Sequence, residues 1–329
     1  MAKRVKELLR HSDSQCVLSP QESIAISYLR SMSVMAIVAC HFLQYLDSCW
    51  AWVLNLGVQV FFFISGYLYG HKSVTDWPSW FCRRIRKIYL PFIIVAIAFT
   101  PLFYMTDDNK SLLIKSIVAY ISDTQWFGGG YNGLRHLWFI SAIFLCYITT
   151  PILQSFRRVS TLLMAVVLGY GVLNLIYLQY DVEHFSPLFI YAVGYLSCNV
   201  GKPMSRLLLV GFTFVAIMIV CHIEWTQIVD LQNFWSRLFH VFVGIAFSML
   251  FIEGASRIPR LRVPGVVHLF DRYSYPIYLV HHPLILGSLT LMSLTNHLYI
   301  NISVIIVMTA ILAVLLNKIS SQVNYFFAL

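Results

Sequence analysis

Charge is what this sequence has least of. Only 11% of its 329 residues are charged and 59% are hydrophobic. A soluble globular chain averages about 45–50% apolar and about 25% charged residues. The shortage excludes a soluble enzyme, a disordered chain and a coiled coil. The seven cysteines are Cys16, Cys40, Cys49, Cys82, Cys146, Cys198 and Cys221, and they form no C-x-x-C pair. Most lie in or beside apolar runs, so they read as small membrane-buried side chains rather than a zinc site or a disulfide framework. A cleavable signal is also missing. Residues 1–22 are polar and basic, and no small-residue cleavage pattern follows the first apolar run. That run is expected to be a retained span.

What the sequence does have is long apolar stretches. Uncharged segments cover 31–46, 48–71, 88–106, 136–156, 159–180, 184–201, 207–223, 238–252 and 273–317. One helical span takes about 20 residues. The last segment is therefore too long for one crossing, and Ser293-Leu294-Thr295-Asn296-His297 offers a turn that splits it. The first segment reaches full length by extending back past Arg30 to Ile24. The segment 238–252 does so if Arg237 snorkels. The expectation is an all-α polytopic membrane protein with about ten transmembrane helices.

The basic residues give that arrangement a direction. With the N-terminus inside, eighteen of the 23 lysines and arginines fall in cytoplasmic segments. Lys110, Lys115, Arg135 and Arg237 fall outside, and Arg30 lies within a span. This bias is what the positive-inside rule requires, so both termini are expected inside. It also explains the net charge of +9 without a nucleic-acid partner. The longest outer loop, 107–135, holds Asp107, Asp108, Asp123, Trp126 and Gly128-Gly129-Gly130. It is read either as a cover over an outward-facing site or as a connector.

An ionisable side chain at membrane depth is costly and is a functional candidate by default. Arg30 and His41 lie eleven steps apart in the first span. At about 100° per step they share one helix face, roughly 16 Å apart along the axis. Arg30 could hold a phosphate, and His41 could act as general base on a hydroxyl. The plainer alternative is a snorkelling arginine and an interhelical hydrogen bond. No Asp or Glu lies deep in a predicted span, and Asp47 faces away from His41. A Tyr or Ser hydroxyl, or a carbonyl, is left to orient the ring.

Tyr28-Leu29-Arg30 with His41-Phe42 resembles the opening of the acyltransferase-3 family of integral membrane acyltransferases. Gly57-Val58-Gln59-Val60-Phe61-Phe62-Phe63-Ile64-Ser65-Gly66 is similar to its second-span signature. Phe81-Cys82-Arg83-Arg84-Ile85-Arg86-Lys87 through Pro91 resembles its basic loop before a proline-started span. His136-Leu137-Trp138-Phe139-Ile140 and Ser274-Tyr275-Pro276-Ile277-Tyr278-Leu279-Val280-His281-His282-Pro283 resemble two later blocks. The five occur in family order and cover nearly the whole chain. Three segments follow: a cytoplasmic basic tail (1–22), a transmembrane acyltransferase domain (23–320) and a short C-terminal tail (321–329).

The resemblance implies transfer of an acyl group, most often acetyl, from cytoplasmic acyl-CoA to a hydroxyl of a cell-envelope polysaccharide or its lipid-linked precursor. O-antigen and exopolysaccharide are the expected types, and the bacterial inner membrane is the expected location. The partners are acyl-CoA as co-substrate, the glycan acceptor and membrane lipid, with no metal and no bound cofactor. His41 matches the family's catalytic position, and Arg30 matches the arginine that ten intervening residues separate from it. Arg84 and Arg86 resemble a donor-binding Arg-x-Arg, although the same run also serves as a topogenic signal. His136 and Trp138 are candidates to line the acceptor site, against a solvated His136 beside an interfacial Trp138. Ser65, Tyr278 and His281 are expected as polar residues of the core. Of the adjacent pair His281 and His282, only His281 is expected to face inward. A transporter or flippase of a glycolipid or small solute, and a non-catalytic assembly subunit, remain as competing classes.

Overall fold

Ser19 and Glu22 open the first helix by bonding to each other's backbone. Glu22 N donates to Ser19 Oγ at 3.2 Å, and Ser19 N donates to Glu22 Oε2 at 2.7 Å. This is a capping box, and Pro20 at the first helical position completes it. The computed structural model describes residues 18–106, 115, 134–177, 182–230, 233–259 and 261–326. The outer-loop features between Asp107 and Gly130, the greater part of the basic N-terminal tail and the last three residues lie outside these.

The described residues are all-α. Ten helices of fifteen residues or more follow one another: α1 (Pro20–Tyr45), α2 (Leu56–Gly70), α3 (Trp77–Thr106), α4 (Trp138–Ser155), α5 (Ser160–Tyr177), α6 (Val182–Ser197), α7 (Lys202–His222), α8 (Phe234–Ser256), α9 (Gly265–Ile285) and α10 (Leu298–Phe326). Each charge-free stretch of the sequence falls on one of them, and the longest stretch falls on α9 and α10. Seven are long and apolar enough to cross a membrane, counting the single turn Ala51–Leu54 with α2: α1, α2, α3, α4, α7, α8 and α10. The chain is thus a multi-pass membrane protein.

Several boundaries differ from the sequence reading. The basic run Arg83–Lys87 was expected in a loop, but it lies on α3, which starts at Trp77. Asp76 caps that start, accepting from Ser79 N at 3.2 Å. Hydrogen bonds from the Ser79 hydroxyl and backbone hold the Asp76 carboxyl below its ordinary range. A helix can carry charge beyond the membrane edge, so charge ends an apolar run without ending the helix. Likewise α9 begins at Gly265 and includes Asp271 and Arg272. It stops at Ile285, earlier than expected. Pro283 sits in its last turn, and Gly287 takes a φ of 94°, a region open to glycine. Asn301, 1% exposed, then ties the following segment to α10. Its amide accepts from Thr295 N and Oγ1 and donates to the carbonyls of Met292 and Thr295.

By its contacts the chain divides into two units. One comprises Met1–Leu29, Gln59–Thr75 and Leu145–Arg262; the other comprises Arg30–Val58, Asp76–Phe144 and Val263–Leu329. In the first, α2 and α6 meet through glycine. A Cβ on Gly66 would run into the Tyr191 carbonyl, one on Gly70 into that of Tyr195, and one on Gly194 into that of Phe63. Small residues at four-residue spacing let two backbones approach in a membrane. Ser65 sits half-buried beside this contact. The second unit holds the imidazole groups described next.

Candidate functional site

Within the second unit, α1 and α9 lie side by side and run in the same direction. Ser31 Oγ donates to the Val267 carbonyl at 2.8 Å, and Arg30 Nη1 meets Asp271 Oδ1 at 2.6 Å. Further along both helices, the His41 ring lies 5.2 Å from that of His281 and 4.6 Å from that of His282. The same-face geometry read from the spacing of Arg30 and His41 is therefore present, and α9 is what both face. α3 keeps the same direction: Tyr275 Oη donates to the Ile88 carbonyl at 2.6 Å, and Thr106 bonds Ser288 at 3.3 Å. Arg84 is one turn before Ile88, as Asp271 is before Tyr275. Arg84 thus stands level with the Arg30–Asp271 pair. It is half-buried, whereas Arg86, two residues on and about 200° around the helix, is exposed.

His136 completes the cluster, and the solvated position weighed for it is not the one it takes. It is 5% exposed and sits in a 3-10 turn, Arg135–Leu137, that leads into α4. Its ring stacks on His282 at 4.5 Å with 14° between planes, and lies 5.5 Å from His281. The cause lies in α9. Pro283 has no N–H, so the Leu279 carbonyl loses its helical partner. His136 Nε2 supplies the replacement donor at 3.3 Å. Tyr278 Oη donates to the His136 carbonyl and fixes the turn from the other side. Trp138, the first residue of α4, is half-buried.

His281 and His282 are both buried, at 0% and 5% exposure. The expectation that only His281 faces inward is corrected. Side chains about 100° apart can both line a cluster that His41 and His136 flank from two helices. His281 Nδ1 donates to the carbonyls of Ile277 and Tyr278, at 3.0 and 2.9 Å. Its Nε2 is buried without a partner among the described residues, as is Nδ1 of His136. Among the described residues no group of three or more His, Cys, Asp and Glu has the geometry to hold a metal ion.

His41 differs from the other three rings because it is only partly buried. Its Nδ1 donates to Gln44 Oε1 at 2.6 Å, which puts the proton on Nδ1 and the lone pair on Nε2. Gln44 was missed by sequence reasoning. It is uncharged, but its position three residues after His41 places it on the same face.

These observations define the class: a multi-pass helical membrane protein with a histidine cluster three helical turns from an arginine–aspartate pair. The acyltransferase domain of the acyltransferase-3 family matches residues 23–318, and the chain belongs to that family. It is similar to peptidoglycan O-acetyltransferase OatA of Listeria monocytogenes, with 23% identity over 83% of this chain and 51% of the relative. It is also similar to the putative peptidoglycan O-acetyltransferase YrhL of Bacillus subtilis, with 24% identity over 87% of this chain and 52% of the relative. The chain spans about half the length of these curated relatives. No solved structure matches.

Proposed function

We propose that the protein transfers an acyl group, most often acetyl, from acyl-CoA to a hydroxyl of a cell-envelope glycan or its lipid-linked precursor. The observation that carries this is the state of His41. It is the least covered residue of the cluster, and its bond to Gln44 favours the tautomer that leaves Nε2 as a base. Nε2 takes the proton of the acceptor hydroxyl as its oxygen attacks the thioester carbonyl. The new C–O bond forms, the C–S bond breaks, and the proton passes from Nε2 to the departing thiolate. The relatives named for peptidoglycan make that polymer the first acceptor to try, with O-antigen and exopolysaccharide after it.

Donor phosphates are assigned to Arg30, Arg84 and Arg86. A guanidinium has five N–H donors, so Arg30 can serve a phosphate while paired with Asp271. The level shared by Arg30 and Arg84 supports this, about 16 Å along the helix axis from His41. His136 and Trp138 are assigned to the acceptor side. Tyr278 and His281 are assigned structural roles beneath them, and Ser65 a structural role in the first unit. The topology proposed is ten crossings of the bacterial cytoplasmic membrane with both termini inside. The common direction of α1, α3 and α9, the first, third and ninth crossings, agrees with strict alternation.

The test uses purified protein in liposomes, with acetyl-labelled acetyl-CoA on one face and peptidoglycan fragments or polysaccharide on the other. Alkali-labile label in the glycan supports the proposal. Solute or glycolipid movement without label transfer would place the protein among transporters instead.

A further inference from the structure

The first unit contains a second site that shares no residue with the histidine cluster. The start of α1, the end of α2, the start of α7 and the end of α8 surround a cavity of about 430 Å³. Phe63, Met249 and Ile252 give it an apolar wall. Its polar side is positive once internal pairs are counted. Glu22 is held by the capping box and by Tyr67 Oη at 2.8 Å. Glu253 is held between Arg206, at 3.2 Å, and Arg257. Lys202, exposed at the rim, has no ion pair among the described residues.

Two further features point to an anion. Lys202 is the first residue of α7, a 21-residue helix whose N-cap, Gly201, offers no side-chain acceptor. The free N–H groups and dipole of that end favour negative charge. Independently, His71 lines the cavity and is 8% exposed. Its Nδ1 donates to the Tyr67 carbonyl at 2.9 Å, while Nε2 is buried with no partner among the described residues. A buried polar atom without a partner is costly, and a phosphate oxygen sharing a proton with Nε2 would remove that cost.

We propose that this cavity binds a phosphate ester carrying an apolar tail, with the phosphate between Lys202, the α7 N-terminus and His71 and the tail against Phe63, Met249 and Ile252. Such a group reaches the site either as a lipid headgroup or as a soluble phosphoester. The site stands independently of the acyl-transfer reading.

The experiment uses the full chain in phosphatidylcholine nanodiscs with two probes. Hexyl phosphate is titrated by calorimetry, and retention of phosphatidylglycerol over phosphatidylcholine is counted by native mass spectrometry. Binding of either probe is expected to weaken about tenfold or more in Lys202→Glu, because one charge-assisted contact is lost and a repulsion added. It should weaken also in His71→Gln and hold in Lys318→Ala, a cation exposed on α10. A response to hexyl phosphate identifies a soluble ester as a source; a response to phosphatidylglycerol alone identifies the lipid. If Lys202→Glu does not fold, Lys202→Ala carries the same comparison. Binding of neither probe, or binding indifferent to Lys202 and His71, overturns the proposal.

Discussion

At the scale of single residues, the proposed chemistry depends on which nitrogen of His41 carries the proton. Gln44 decides that through one bond of 2.6 Å. Replacing Gln44 by Ala should lower kcat about 5- to 10-fold, the worth of roughly one net hydrogen bond. KM for the acyl donor should stay near its original value. Gln44→Glu keeps an acceptor oxygen at the same reach and should restore much of the rate; equal losses in both variants would assign Gln44 a packing role. The Arg30–Asp271 pair gives a second prediction. Both side chains are largely covered, at 32% and 14% exposure, so removing one partner strands the other. Asp271→Ala should lower the unfolding midpoint in detergent more than the double variant Arg30→Ala/Asp271→Ala does, a coupling of about 1–3 kcal/mol. Additive effects would show that the contact is energetically idle. The Arg30–His41 relationship was legible from sequence because helical geometry alone fixes it. The carboxylate partner was not, because Asp271 lies just outside the apolar run and its approach to Arg30 spans 241 positions.

At the scale of helices, apolar stretches located the elements well and ended them poorly. The nine charge-free stretches all fall on helices, the last of them on two; a backbone that crosses lipid has no open alternative. Their charged flanks were read as loops, yet Arg83–Lys87 and Asp271–Arg272 are helical. Charge marks the edge of the hydrocarbon, not the end of the hydrogen-bond ladder. The buried position of His136 was hidden for a related reason. It depends on the carbonyl that Pro283 exposes on α9, and sequence shows the proline but not which donor answers it. Pro283→Ala tests the link. Alanine returns an N–H to the Leu279 carbonyl and is the better helix former. The unfolding midpoint should hold or rise while transfer slows, because His136 loses its partner. A variant with unchanged transfer would detach the proline from the site.

At the scale of the whole molecule, the ten crossings proposed above would place the 72–76 and 257–263 connections inside and the 286–297 segment outside. Cysteines introduced at Thr75 and Leu294 in a cysteine-free background should label from opposite sides of the membrane. Labelling from one side would remove a crossing and the alternation with it. The family was legible across the chain because its motifs are local in sequence. The cavity at Lys202 and His71 was not, because four helix ends create it. The most direct test of the central claim is the ester content of the envelope glycan in cells whose only copy carries His41→Ala, with the protein shown by immunoblot to be present in the membrane. Loss of a general base costs about 10²–10⁴-fold in rate, so glycan O-acyl groups should fall to the level of a deletion strain. Esterification at the wild-type level would contradict the assignment of His41 as the base.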